Sequence, residues 1–203
     1  MKARTTKERL VTAGFALIHA RSYTDVSVDD ICRRAQVNKG SFYHCFKSKT
    51  DLALAILEAQ EQEYFVEIMA PAFGDDAPPL EKIARLFTLF SEHQQRVKTR
   101  QGRALGCLFG NLALELASTD PRVRDRVRAG LDLLAGAVEQ TLLAAMEKGD
   151  LPQGNAALGA QQIVAYLQGL ILWSKVNDDP DRIAQLGLLA TVLALPRGAA
   201  THT

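Results

Sequence analysis

Twelve residues, "NKGSFYHCFKSK" at 38–49, concentrate side chains that can grip a large anionic partner. Lys39, Lys47 and Lys49 supply ammonium groups, Ser41 and Tyr43 supply hydroxyls, and His44 supplies an imidazole. Ammonium groups displace counterions from phosphates, an attraction that is salt-dependent and blind to sequence. Hydroxyls hydrogen-bond to phosphate oxygens and fix register. Gly40, lacking a side chain, lets the backbone come close to its partner. Phe42 and Phe46 are four apart, so on a helix both can pack inward. Lys39, Ser41, Tyr43, His44 and Lys49 then face outward.

Other chemistry is poorly supplied. Histidines at 19, 44, 93 and 202 have neither metal-ligand spacing nor a nearby catalytic partner, and there is no glycine-rich phosphate loop or nucleophile elbow. No metal, cofactor or catalytic residue is expected. Cys32, Cys45 and Cys107 are too few and too scattered for a disulfide scaffold or a zinc finger. As thiols they suit packed positions. A cysteine-dependent enzyme built on Cys107 is one alternative, although nothing supplies its histidine; a helical protein-interaction scaffold is another.

The elements that must position these groups read almost entirely as helices, with apolar residues recurring every three or four positions and no β-branched alternation. Segment 5–21 turns Leu10, Ala13, Phe15, Ala16, Leu17 and Ile18 toward one side. Ser27 is an N-cap, with Asp29 and Asp30 in the first turn, and Val28, Ile31, Cys32 and Ala35 point inward. Gln36-Val37 turns the chain, Asn38 caps the next short helix, and Ser48 caps a long one that Pro71 and the cluster "GDDAPP" at 74–79 end. Further helices cover 80–101, the stretch "CLFGNLALELA", 121 to about 148, about 155–176 and 180–195, making about nine in an all-α chain. The tail "RGAATHT" reads as disordered.

Net charge is +1 over 203 residues, but it is unevenly spread. Residues 1–50 hold ten Lys/Arg against four acids, and residues 51–203 hold 14 against 19. A basic head on an acidic body implies a polyanion partner for the head. The longest apolar runs, such as "LQGLILW", fall short of the ~20 residues of a membrane span. No secretory signal precedes them, so a cytoplasmic address is expected.

A helix, a three- or four-residue turn and a second short helix at about 27–46 make a helix-turn-helix, whose second helix lies in the DNA major groove. "SVDDICRRAQVNKGSFYHCFKSKTDL", preceded by "TKERLVTAGFALIHARSYTD", resembles the N-terminal domain of the TetR family of bacterial transcriptional regulators. That resemblance implies a DNA-binding domain over 1–50 and a ligand-binding and dimerisation domain over 51–203. It also implies a homodimer on palindromic double-stranded DNA, most often a repressor. Carried over by position, Lys39, Gly40, Ser41, Tyr43 and His44 match the recognition helix; Ser27, Tyr43 and Lys49 match phosphate contacts. Gln36 stands where the family usually has glycine, which costs roughly 1 kcal/mol if that position is left-handed.

The last two helices are apolar over broad arcs with small residues interspersed, so they must be buried, and the resemblance implies a four-helix dimer interface. "GCLFGNLALELA" at 106–117 resembles a branch of the family that responds to electrophiles and oxidants, in which a "GCL" element supplies a reactive thiol. Cys107 is the sensing candidate. Lys175 is the only lysine beyond residue 148, and a nearby ammonium would favour the thiolate. The remaining pocket candidates are Phe65, Met69, Phe87 and Phe90, then Leu108 and Asn111, then Tyr166 and Trp173. A small-molecule or electrophile effector is thus the expected partner besides DNA.

Overall fold

Every element is helical in the computed structural model, which describes residues 4–187 and 189–190. In chain order these are α1 (Thr6–Ala20), α2 (Val28–Ala35), α3 (Lys39–Cys45), α4 (Lys49–Tyr64), a π-helical turn (Phe65–Met69) and α5 (Ala70–Phe73). There follow α6 (Pro79–Gln101), α7 (Leu108–Leu116), α8 (Pro121–Lys148), α9 (Ala156–Asn177) and α10 (Asp181–Gly187). The all-α expectation holds. Residues 191–195 of the final predicted helix, and the tail predicted to be disordered, lie outside the described residues.

Side chains chosen for capping set the boundaries. Thr5 Oγ1 accepts from the Glu8 amide at 3.2 Å while the Thr5 amide donates to Glu8 Oε2 at 2.7 Å, a reciprocal capping box at the start of α1. Ser48 Oγ accepts from the Asp51 amide at 3.1 Å, and Asn155 Oδ1 from the Leu158 amide at 3.0 Å. Of the two features expected to end this helix, the cluster at 74–79 does so and Pro71 does not. The π turn before it sends the Ala70 amide back to the Phe65 carbonyl, five residues away, and restarts the ladder. Pro71 then falls in the first turn of α5, where its missing N–H costs nothing, and the rod closes only at Gly74.

Two compact units emerge, divided within this rod at Glu63 and Tyr64. The first comprises the chain up to Glu63 together with Cys107–Gly130. It includes α7 and the start of α8 together with the N-terminal helices. Leu10, Val26, Ile31, Phe42, Leu52 and Ile56 form its fully buried centre. Gly14 lets α1 come close to α4: a Cβ there would meet Leu52 and Ile56 at 2.9 Å.

The second unit comprises Tyr64–Gly106 and the chain from Leu131. Here α10 packs on α6 because Gly187 admits Phe87, whose Cβ would lie 2.4 Å from an added methyl. Tyr166 Oη donates to the Leu186 carbonyl at 3.0 Å, and its ring centre lies 6.1 Å from that of Phe87. Ser91 Oγ donates to the Pro180 carbonyl at 2.9 Å, and Asp178 Oδ1 accepts from the Ala104 amide at 2.7 Å.

By length and mean hydropathy α8 and α9 are each long and apolar enough to cross a bilayer, although no uninterrupted apolar run is. Alanine and glycine raise the average without making a continuous run. Much of this apolar surface faces outward, including Leu133 and Leu143 on α8 and Leu158, Leu172, Trp173 and Val176 on α9.

Candidate nucleic-acid interface

The first unit builds one outward-facing helix, α3, on two inward-facing rings. Phe42 is fully buried, and its ring centre lies 5.9 Å from that of Phe46. With that side fixed, Lys39, Gly40, Tyr43 and His44 are exposed, and Ser41 is half-exposed. Tyr43 is 53% exposed although its ring stands edge-on to Phe42 at 5.3 Å, so packing supports the ring while the hydroxyl is presented to solvent.

Caps fix where α2 and α3 begin. Ser27 Oγ accepts from the Asp30 amide at 3.1 Å and donates to Asp30 Oδ2 at 2.6 Å, which holds the Asp30 carboxyl below the usual range. Asn38 Oδ1 accepts from the Ser41 amide at 2.7 Å. A Cβ on Gly40 would lie 3.3 Å from that same oxygen, so the capping side chain would have to give by a few tenths of an ångström. Between the helices Gln36 is left-handed, at φ 54° and ψ 47°. The turn keeps this geometry at a cost of roughly 1 kcal/mol for a non-glycine residue. Arg9, not expected as a site residue, offsets that strain: Nη2 donates to the Ala35 carbonyl at 2.5 Å and to the Gln36 carbonyl at 2.8 Å.

Two of the expected cations are already engaged. Lys39 pairs with Asp29 at 3.0 Å, and that hydrogen-bonded carboxylate raises the lysine's pKa. Both groups are exposed, so the pair is weak and yields readily to a phosphate or a base edge. Lys49 is half-buried. Its ammonium donates to the Tyr23 carbonyl at 2.8 Å and the Val26 carbonyl at 2.9 Å, and lies 4.1 Å from the centre of the Tyr23 ring. Burial pushes its pKa down. Lys49 thus positions the loop before Ser27, with one N–H beyond those two bonds.

The expected effector residues divide between the units. Cys107, buried, is the N-cap residue of α7, with buried Leu108 and half-buried Asn111 following in the first unit. In the second unit Phe87 and Phe90 are buried, and Met69 and Tyr166 are half-buried. Phe65 and Trp173 are 54% and 55% exposed, and Lys175 is exposed in the last turn of α9. Among these, ring contact joins Phe87 to Tyr166, and Phe90 meets Tyr64 at 5.7 Å. Buried His93 contacts Glu67 at 3.4 Å, and Arg96 holds the same carboxylate at 2.7 Å. Two deeply buried polar atoms in this unit, Gln94 Oε1 and Ser174 Oγ, have no hydrogen-bond partner. Sequence periodicity marked neither, because both fall on ordinary inward positions.

Comparison with known proteins divides the chain differently, since one match spans 107–130 of the first unit together with much of the second. Residues 10–56 match the family model described as bacterial regulatory proteins, tetR family, and residues 79–187 match the tetracyclin repressor-like C-terminal domain. The transcriptional regulator AcuR of Cereibacter sphaeroides is 33% identical over 86% of this chain and 78% of its own. The transcriptional repressor NemR of Escherichia coli is 27% identical over 85% of each chain. A regulatory protein TetR from Rhodobacter sphaeroides superposes with a TM-score of 0.75 at 29% identity, covering 92% of this chain and 95% of that one. The reduced form of E. coli NemR shares the fold, with a TM-score of 0.78 at 22% identity over 92% and 95%.

Proposed function

The chain belongs to the TetR family of bacterial regulatory proteins, DNA-binding regulators of transcription, and from that premise we propose how this member works. α3 enters the major groove of an operator, with Lys39, Gly40 and Ser41 at its leading end toward base edges. Ser27, Tyr43 and Lys49 touch phosphates, and His44 lies beside the same groove. The observation that carries this reading is the outward row on α3, rigidly backed by Phe42 and Phe46 and started by the Asn38 cap. Residues 1–50 form the DNA-binding domain and residues 51–203 the ligand-binding and dimerisation domain, acting together in the cytoplasm as a repressor.

One groove-binding helix reads only a few base pairs, so two must act about one DNA turn (~34–36 Å) apart on a palindromic site. The exposed stripe on α9, Leu158, Gln162, Ala165, Gly169, Leu172 and Val176, supports pairing of two copies. Its spacing of four and three residues keeps it on one helical face, and Ala165 and Gly169 allow backbones to approach. With α10 this face completes a four-helix dimer interface.

Binding should separate into two classes. Tyr43→Phe and Lys49→Ala are expected to weaken binding to every duplex by a similar factor of about 3–10, as loss of a phosphate contact or its support does. Lys39→Ala and Ser41→Ala are expected to change which base is preferred in each half-site, each correct contact being worth about 1–3 kcal/mol. Fluorescence anisotropy across a panel of single-base variants measures both. Unchanged preference in both of the latter variants would refute the base-reading assignment.

A small-molecule or electrophile effector releases the operator. Gln94 Oε1 and Ser174 Oγ support a polar effector in the second unit, because a complementary donor would satisfy groups whose burial now goes uncompensated. Cys107, the N-cap residue of α7, is the covalent alternative. Full switching from 1:99 to 99:1 requires ~5.5 kcal/mol of differential affinity. Operator release by a reactive aldehyde or by hypochlorite is expected for the wild type and not for Cys107→Ser; equal release in both disposes of the thiol reading.

A further inference from the structure

The α1–α2 connection is gripped from two sides. Glu115, near the end of α7, accepts from the Tyr23 amide (Oε1, 3.0 Å), the Thr24 amide (Oε2, 3.0 Å) and the Thr24 hydroxyl (Oε2, 3.1 Å). Lys49 takes the carbonyls of Tyr23 and Val26. Tyr23 Oη also bonds Thr50 Oγ1 at 3.0 Å. One short loop therefore has its N–H groups tied to α7 and its C=O groups tied to α4. Val26 is immediately followed by Ser27, the cap from which α2 and hence α3 take their direction.

At its other end α7 begins at Cys107, directly after Gly106 (φ 77°), and its first turn holds Phe109 against Gly130 of α8. An added Cβ at Gly130 would lie 2.5 Å from Phe109 Cε1, so any side chain at 130 must displace that ring. A helix nine residues long, wedged at one end and hydrogen-bonded to the loop at the other, moves as a body.

We propose that Glu115 is the positioning residue through which α7 sets the aim of the DNA-reading motif: its carboxylate holds the α1–α2 connection in the DNA-competent arrangement, and displacement of α7 releases it. The proposal rests on the DNA-binding reading above and adds the residue that holds its aim. Charge-assisted bonds to two backbone amides are strong enough to order a loop, and a single carboxylate can lose all three together.

Hydrogen exchange of the full-length protein tests this without DNA, and operator anisotropy tests it with DNA. Glu115→Gln can accept through only one oxygen, so the Tyr23 and Thr24 amides are expected to exchange about tenfold faster and operator affinity to fall about tenfold. Thr24→Val, which removes only the hydroxyl bond, is expected to move both in the same direction by a factor of about 2–3. Gly130→Ala, which drives Phe109 and with it α7, is expected to loosen the same amides and weaken the operator complex. In the Gly130→Ala/Glu115→Gln double variant the second change should add almost nothing. Should Gly130→Ala fail to fold, Phe109→Leu disturbs the same contact by emptying it, with the same expectations.

Unchanged exchange at Tyr23 and Thr24 in Glu115→Gln overturns the proposal, as does full additivity of the two changes. Tighter operator binding by Glu115→Gln also overturns it, since the tie would then favour the wrong arrangement. A wild-type protein that binds no duplex refutes the DNA-binding reading instead, and the exchange experiment still decides the tie.

Discussion

Phe42→Ala is expected to destroy operator binding by unfolding the DNA-binding head. Phe42 is completely buried, contacts Phe46 and Tyr43, and is the only side chain of α3 that is. Truncating a buried phenylalanine costs about 3–5 kcal/mol. Residues 1–50, the proposed DNA-binding domain, are few enough that their own core rarely supplies more than ~3–5 kcal/mol. The head should therefore melt while the second unit, with its own core around Phe87, Leu86 and Ile83, keeps its helices. Circular dichroism would record an early partial loss of helix followed by a second transition, and anisotropy a loss of at least about 100-fold in affinity. Phe42→Leu, closer in volume, should retain a single transition. A Phe42→Ala protein with wild-type melting and binding would mean that α3 is not held by its apolar side.

Gly169→Arg is expected to separate the dimer without harming the monomer. A Cβ at Gly169 meets nothing within 4 Å in one chain, and arginine is a better helix former than glycine by roughly 0.5–1 kcal/mol. Stability within the protomer should thus hold or rise. In a dimer built on the exposed α9 stripe, the same arginine meets its two-fold mate in an apolar contact and must be desolvated. Sedimentation should change from dimer to monomer. Operator affinity should fall by about 10²–10⁴, the range by which linked sites exceed single ones. Dimers and binding that survive the change would move the interface off this face.

Much of the fold was legible because capping chemistry is local. Ser27, Asn38 and Ser48 announce helix starts within three residues of the amides they cap. Asp120 and Pro121 mark the start of α8 in the same way, and its end at Lys148 matches the break seen in the sequence. The outward row of α3 follows from Phe42 and Phe46 alone, because a helix fixes the other faces once one is buried.

What the sequence concealed depends on residues far apart. Arg9 meets the Gln36 carbonyl across 27 positions, and Glu115 meets Tyr23 across 92. Neither spacing carries a periodic signal. Lys49 reads as a surface cation until Tyr23 and Val26 turn their carbonyls toward it. Pro71 reads as a helix end until the π turn supplies the extra residue that absorbs it. Gln36 is the instructive middle case: the sequence fixes what it would cost to be left-handed, and only the structure shows that it is.

The central claim is that two copies of this chain read one two-fold DNA site through α3. Selection from a random duplex pool with the purified full-length protein, sequenced after several rounds, tests it most directly. The account predicts enrichment of an inverted repeat whose half-site centres lie about 10 bp, one helical turn, or a multiple of it apart. A pool that stays random, or one enriched for a single asymmetric half-site, would contradict it.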